Sequence, residues 1–120
     1  MSIKGFEHTD PLNEYELNTL LPVMIKGLKK RYGVSNAITS NEISNRCKAW
    51  GFDLKGARIR KLINHIRRND LIMFLVASSK GYYIETNEKK LIEYIEGLEQ
   101  RANAIKHISE CLRNQLNKKN

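Results

Sequence analysis

Apolar residues recur at helical spacing along most of this chain, which predicts a mainly α-helical fold. Asp10-Pro11 is a good helix start, and apolar positions continue from there as far as Arg31. Pro22 lies inside that run and is expected to kink or split the helix. A further helix is predicted to begin at Thr39 or Ser40, since Thr39 and Glu42 have the spacing of a capping box.

The helix that follows Thr39 is predicted to end in a tight turn. Ile43, Cys47 and Trp50 fall on one face and are expected to point inward. Gly51 is suited to a left-handed terminator. A basic helix is predicted next, over residues 54–69, so that the order is helix, glycine turn, helix, the pattern of a helix-turn-helix.

A β-hairpin is predicted after the basic helix. Residues 71–77 and 82–86 are rich in β-branched, aromatic and other apolar side chains, and residues 78–81 have the composition of a turn. The first strand is apolar on both faces, so another part of the protein must cover its second face. Ala37-Ile38 could add a small strand. The predicted fold class is therefore mainly α with a small β-hairpin.

The last third of the chain, from Asn87 to about Asn117, returns to helical spacing. Apolar positions alternate in steps of four and three, as in a heptad repeat, with Ser109 as the one polar break. We call this stripe the seam; its apolar members are Leu91, Ile95, Leu98, Ala102, Ile105, Leu112 and Leu116. Three parts are thus expected: an arm over residues 1–11, a domain over 12–86 and a long C-terminal helix over 87–120.

The seam has two possible partners. It could pair two copies of the chain as a coiled coil, or it could fold back over its own hairpin and cover the first strand. Ile92 and Ile108 widen the stripe beyond a strict two-stranded seam, which suits both arrangements at once.

The net charge indicates a polyanionic partner, and its distribution along the chain indicates which segment would bind that partner. The formal net charge is +8, and residues 26–80 carry thirteen basic and three acidic residues, a net of +10. Such a field favours nucleic acid or an anionic membrane surface. The absence of a signal-like N-terminus, the lack of a membrane-length apolar run and two lone cysteines favour a cytoplasmic protein with free thiols.

The segment "KGARIRKLINHIRRND", residues 55–70, concentrates that charge on a helix that also has an apolar face. On a helical wheel the apolar stripe consists of Ile59, Leu62, Ile63 and Ile66. The opposite face consists of Ala57, Lys61, Asn64 and Arg68. The plainer interpretation is an amphipathic helix with a solvated basic side. The glycine turn before it and the hairpin after it favour a helix that enters a DNA groove.

Candidate DNA contacts follow from side-chain chemistry. Arg, Lys and Asn read base edges in the major groove. Arg58, Lys61 and Asn64 are the first candidates for this role and Arg60 is the next. Lys55 and the small Ala57 lie near the helix start, where backbone approach to the DNA is closest. His65, Arg67 and Arg68 are expected to reach phosphates.

Helix, helix-turn-helix and hairpin together resemble a winged helix-turn-helix domain over about residues 12–86. The resemblance rests on "TSNEISNRCKAWGFDLKGARIRKLINHI" and "LIMFLVASSKGYYIET". It implies that Ser40 and Asn41 approach phosphate at a helix N-terminus, and that Ser79 and Lys80 on the wing, residues 78–81, contact the backbone or the minor groove. The wing departs from the family in having one Lys and no Arg. The short, Asn- and Lys-rich chain also resembles proteins of phages and mobile elements.

The sequence therefore predicts a sequence-specific double-stranded DNA-binding protein, a small transcriptional or replication regulator that dimerises through its C-terminal helix. An enzyme is not expected, because no catalytic signature or metal-ligand spacing occurs, and no cofactor is implied. A membrane or RNA partner is not expected either, because the basic face has no aromatic side chains to insert or stack. The alternative is a winged-helix adaptor that binds acidic protein surfaces in a replication or partition assembly.

Overall fold

The computed structural model describes residues 11–119. It confirms a mainly helical fold with a small antiparallel hairpin and a long C-terminal helix. The elements, in order, are a π-helical segment Glu16–Leu20, α1 Leu21–Leu28, a 3-10 turn Val34–Asn36, α2 Ser40–Ala49, α3 Gly56–Arg68, β1 Leu75–Ser78, β2 Gly81–Ile84 and α4 Glu88–Lys118.

The first helical segment is capped by Asn13. The Glu16 amide donates to Asn13 Oδ1 at 2.8 Å, and the Asn13 amide donates to Glu16 Oε1 at 3.0 Å, which is the reciprocal geometry of a capping box. The predicted start at Asp10 lies outside the described residues. Helical backbone continues across Pro22 from Glu14 to Leu28, so the proline does not split the segment. The departure from α-helical geometry is the π-helical segment Glu16–Leu20, which lies immediately before the proline.

The second helix begins as predicted. The Thr39 side chain accepts from the Glu42 amide, and the Glu42 carboxylate accepts from the Thr39 amide, so the capping box is present. Gly51 has a φ of 85°, the left-handed geometry expected of a terminator. The inward position predicted for Trp50 is wrong, since its side chain is 69% exposed. The backbone leaves helical geometry at Trp50, so the spacing that buries Ile43 and Cys47 no longer applies there.

The core is built around α3. Its four stripe residues, Ile59, Leu62, Ile63 and Ile66, are at most 1% exposed. The segments on either side complete the same apolar cluster with Leu20, Leu21, Met24, Leu28, Ile38, Ile43, Cys47, Leu54, Ile72, Leu75 and Ile84. The predicted apolar stripe is therefore confirmed as the side on which the domain packs.

The hairpin is shorter than predicted. Leu75 pairs with Ile84 and Ser78 pairs with Gly81, so Ser79 and Lys80 form the turn. Residues 71–74 do not join the first strand, because the backbone turns there, with a φ of 63° at Phe74. The small strand expected at Ala37-Ile38 is a single bridge in which Ile38 pairs with Tyr82.

Only the beginning of α4 packs against the hairpin. The Tyr94 hydroxyl accepts from the Ala77 amide at 3.4 Å, and a groove lies between α4 and β1. At 31 residues α4 is about 46 Å long. No residue of α4 is buried, and in its second half every residue except Ile105 and Cys111 is exposed. The predicted folding back over the hairpin is therefore seen only in the first turns of α4. No other part of residues 11–119 covers the rest of the seam.

A glycine at the start of β2 joins the hairpin to α2. Gly81 has a φ of 119°, and a Cβ on it would collide with the backbone of Ile38 and Thr39. Gly81→Ala is expected to destabilise the fold by more than about 1–3 kcal/mol, since strain and collision act together. Urea denaturation measures this. Gly27→Ala, in a helix with open space around it, should instead stabilise by about 0.5–1 kcal/mol.

Candidate nucleic-acid interface

The predicted base-reading face of α3 is only partly open to solvent. Lys55 is the residue that precedes α3, Ala57 lies in its first turn and Arg68 in its last, and all three are exposed. The side chains between them are buried or half-buried. The two ends of the helix are therefore more accessible than its middle.

Arg58 and Lys61, predicted to read bases, both bind a buried glutamate. Lys61 Nζ lies 2.7 Å from Glu16 Oε1, and Arg58 Nε lies 3.2 Å from Glu16 Oε2. The Glu16 side chain is 3% exposed, whereas those of Lys61 and Arg58 are 21% and 37% exposed. The Arg58 guanidinium also lies 5.9 Å from the centre of the Tyr15 ring, within cation–π range. The first helical segment is thus fastened to α3 by charge as well as by apolar packing.

The surroundings of Glu16 favour its charged form. Burial is the largest single influence and opposes ionisation, but it is outweighed by several others together. These are the hydrogen bond from Lys61, the hydrogen bond from the Asn13 amide and the positive charges of Lys61 and Arg58. Their sum lowers the pKa of Glu16 below its ordinary value. The cluster is therefore an ion-paired unit at neutral pH.

Arg67, predicted to reach phosphate, makes contacts within the domain. Its Nε donates to the Leu75 carbonyl at 3.0 Å, and its Nη2 lies 3.5 Å from the Tyr94 hydroxyl. It thereby joins α3 to β1 and α4. Arg60 and His65 are half-buried, and Arg60 also has an interaction partner. These side chains lie beside the predicted base-reading face of α3, and none of them is fully exposed.

The position predicted for Asn64 is wrong. The helical wheel put it on the presented face, yet it is 4% exposed. Its Nδ2 has no hydrogen-bond partner among residues 11–119. A wheel counts only the periodicity of α3 itself and cannot show what other parts of the chain cover. In this arrangement Asn64 cannot contact a base edge.

The predicted phosphate contacts outside α3 lie close to one another. Ser40 and Asn41 form the first turn of α2, and Ser79 and Lys80 form the hairpin turn. Gly81 follows that turn and packs against the Ile38–Thr39 backbone, directly before α2. The hairpin turn and the N-terminus of α2 therefore share one edge of the domain, and Asn41, Ser79 and Lys80 are exposed there.

Sequence reasoning missed Glu16 and Tyr94, which position the basic side chains. A signal for Glu16 was present: it lies four residues after Leu12 and four before Leu20, at a place in the helical repeat where a core residue is expected. A charged residue at such a position indicates an internal counter-ion. Tyr94 carried no comparable signal, because its partner, a strand amide, depends on tertiary packing.

Other chemistry is sparse in the part of the chain that the structure describes. No group of three or more His, Cys, Asp and Glu residues is placed to hold a metal ion, and no helix is long and apolar enough to cross a membrane. Cys47 is a core residue, as predicted, and burial raises the pKa of its thiol. Cys111 lies 3.7 Å from His107 Nε2 on the outside of α4.

The chain matches no protein-family profile, no curated protein and no solved structure. The resemblance to winged helix-turn-helix domains therefore stays a prediction.

The ion pairs of Glu16 with Arg58 and Lys61 predict how the stability of the fold changes with pH. Glu16→Gln keeps the size of the side chain but removes its charge, and it should cost about 1–3 kcal/mol at pH 7. Because the folded pKa of Glu16 is lowered, its contribution is complete above the unfolded-state value and is lost as the pH falls through the folded value. The difference in the free energy of unfolding between the unmodified chain and Glu16→Gln, measured by urea denaturation, should therefore become smaller in acid.

The exposed Glu14 provides the matched control for this measurement. Glu14→Gln removes the same charge from the same helical segment and should change stability by less than about 0.5 kcal/mol. A Glu16→Gln deficit that stays constant from pH 7 to pH 3 would show that the ion pairs do not stabilise the fold.

Proposed function

We propose that this protein binds double-stranded DNA sequence-specifically as a small transcriptional or replication regulator and dimerises through α4. The observation that carries the proposal is the shared edge formed by the N-terminus of α2 and the hairpin turn. At this edge Gly81, the residue after Lys80, packs against the Ile38–Thr39 backbone that leads into α2, in a segment with a net charge of +10. Backbone amides and lysines are the usual ligands of DNA phosphates.

On this proposal the shared edge contacts one strand of the backbone. Ser40 and Asn41 meet a phosphate at the positive end of the α2 dipole, and Ser79 and Lys80 meet another. These contacts fix the orientation of the domain and carry no sequence information. They allow α3 to approach the major groove with its exposed N-terminal end first.

The α3 contacts are then of two kinds. Lys55, Ala57 and Arg68 are exposed and can approach DNA as they stand. Arg58 and Lys61 are half-buried and already donate to Glu16, so a base contact has to be made by their remaining N–H donors or by exchanging Glu16 for the DNA at the cost of two ion pairs. Sequence choice on this proposal is set mainly at the exposed N-terminal end of α3, because the side chains in the middle of the helix are held toward Glu16.

One observation favours the adaptor alternative. Arg58 and Lys61 already bind a carboxylate on this face, and an acidic protein partner would present the same group. Salt dependence separates the two functions. Phosphate neutralisation makes duplex affinity fall steeply with salt, whereas an adaptor binds little duplex even at low salt.

Selection of bound sites from a random duplex library, followed by titrations of the selected site over a range of salt, tests the proposal. Lys80→Gln is expected to weaken all sequences about equally and to reduce the slope of log K against log salt by about 1. Lys118→Gln, which removes the same charge at the far end of α4, should leave the slope unchanged. Equal slopes for the two variants would show that Lys80 does not contact DNA phosphates.

The dimer has its own test. Two seam residues far from the domain, Leu112 and Leu116, are 55% and 61% exposed, so a charge at Leu112 should leave the domain folded. By light scattering the unmodified chain should have about twice its 13.9 kDa mass, and Leu112→Glu should be a monomer. Asn114→Glu, on the opposite side of α4, should stay dimeric. A monomeric unmodified chain at high micromolar concentration would contradict the proposal.

A further inference from the structure

The second half of α4 is an apolar helix face without a partner in the described part of the chain. Ile108, Leu112 and Leu116 are 49%, 55% and 61% exposed. A helix of this length gains most of its stability from packing of its apolar face, not from intrinsic propensity. This half therefore requires a surface to bury it.

A second apolar surface that no other part of residues 11–119 covers lies at the other end of α4. The groove between α4 and the hairpin is lined from one side by Met73, Phe74 and Val76, and from the other by Leu91, Ile95 and Leu98. Met73, Phe74 and Ile95 are 55%, 53% and 43% exposed. We call this surface the hairpin groove.

The hairpin groove is continuous with the seam, because Leu91, Ile95 and Leu98 belong to both. One apolar surface thus runs along α4 from the hairpin to the C-terminal end. Its first half is a groove between two walls, and its second half is a single exposed ridge. A ridge and a groove of the same chain fit each other if two copies lie in opposite directions.

We propose that two copies pair through α4 in an antiparallel orientation, so that the C-terminal ridge of each copy occupies the hairpin groove of the other. The inference depends on the dimer proposed above and goes beyond it by giving the orientation, the register and a contact outside α4. Seam pairing and charge both favour this arrangement over a parallel coiled coil.

Seam pairing favours opposite directions because it matches small side chains with large ones. In a parallel dimer each seam residue faces its own copy, so Ala102 would face Ala102 and Ser109 would face Ser109, leaving two poorly filled layers. An antiparallel dimer pairs different residues. Centred between Asn103 and Ala104, its layers are Ala102 with Ile105, Leu98 with Ser109, Ile95 with Leu112 and Leu91 with Leu116.

Charges beside the seam favour the same orientation. In a parallel dimer Arg101 of one copy faces Lys106 of the other, five residues further on, and this repulsion occurs twice. In the antiparallel register Glu99 of one copy faces Lys106 of the other, and this attraction occurs twice. Flanking charges of this kind set orientation more than they add stability.

The same register brings the ridge to the groove. Leu112 lies opposite Ile95 and Leu116 opposite Leu91, and both of these residues line the hairpin groove. Met73 and Phe74, which have no place in a coiled coil formed by α4 alone, then cover the incoming leucines. Both uncovered apolar surfaces are buried by the same contact.

Spin-label distances determine the orientation. Asn117→Cys is made in a chain in which the half-buried Cys111 is replaced by Ser, and the buried Cys47 is kept, with the Cys111→Ser chain as labelling control. The two labels should be about 40 Å apart in the antiparallel dimer, since about 27 residues of helical rise separate them. A distance of about 20 Å or less would show a parallel dimer and overturn the inference.

Cysteine pairing tests the register in the same Cys111→Ser chain. Leu98→Cys and Ser109→Cys are prepared separately and oxidised alone and as a mixture. The antiparallel register predicts a covalent dimer in the mixture only, because Leu98 faces Ser109 of the other copy. Covalent dimers of each variant alone, with none between the two, would show the parallel arrangement.

Occupation of the hairpin groove has a matched pair of variants. Met73→Glu should raise the dimer dissociation constant at least about tenfold, since it places a charge where the leucine ridge inserts. Leu71→Glu lies in the same loop, is 43% exposed and does not line the groove, so it should change the constant less than about twofold. Equal effects of the two variants would overturn the groove contact.

These outcomes are separable from failure of the proposed function. A monomeric unmodified chain removes the dimer and this inference together. A dimer with short label distances removes only the inference, and duplex binding is measured independently of both.

Discussion

The packing of α3 through its apolar stripe is the constraint on which the rest of the structure depends. Ile59, Leu62, Ile63 and Ile66 are almost completely removed from solvent, and the first helix, α2 and the hairpin pack around them. Each buried side chain of this size contributes about 1.5–3 kcal/mol. With that stripe fixed inward, the charged residues of α3 must occupy the remaining faces.

The basic residues of α3 and its N-cap fall into two groups, one with contacts inside the domain and one exposed to solvent. Arg58 and Lys61 neutralise Glu16 and fasten the first helix, and Arg67 joins α3 to the hairpin and to Tyr94. Lys55 and Arg68 stay exposed at the two ends. Three of the thirteen basic residues that suggest a polyanionic partner therefore also support the fold. Under the proposed function, the charge available to DNA is that of Lys55 and Arg68 at the ends of α3 and of Lys80 in the hairpin turn, all of which are exposed.

The long helix is divided between packing on its own domain and an apolar surface that is open to solvent. Its first turns cover one side of β1 through Tyr94, while its second half presents leucines and isoleucines to solvent. An apolar stripe of that length is unusual on a monomer and is typical of an interface. The proposed antiparallel pair accounts for the exposed Met73 and Phe74 as well, because the leucine ridge of a second copy would lie against them.

The sequence alone determined what depends on local spacing: the helices, the capping box at Thr39, the glycine turn, the hairpin turn and the stripe of α3. Local spacing failed where distant residues decide the environment. Trp50, placed inward by its spacing, is exposed because the helix ends there, and Asn64, placed outward, is buried. Tertiary structure also decided that Glu16 meets Arg58 and Lys61, more than forty residues away. Periodicity records how one helix is shaped, whereas burial and ion pairing depend on what packs against it.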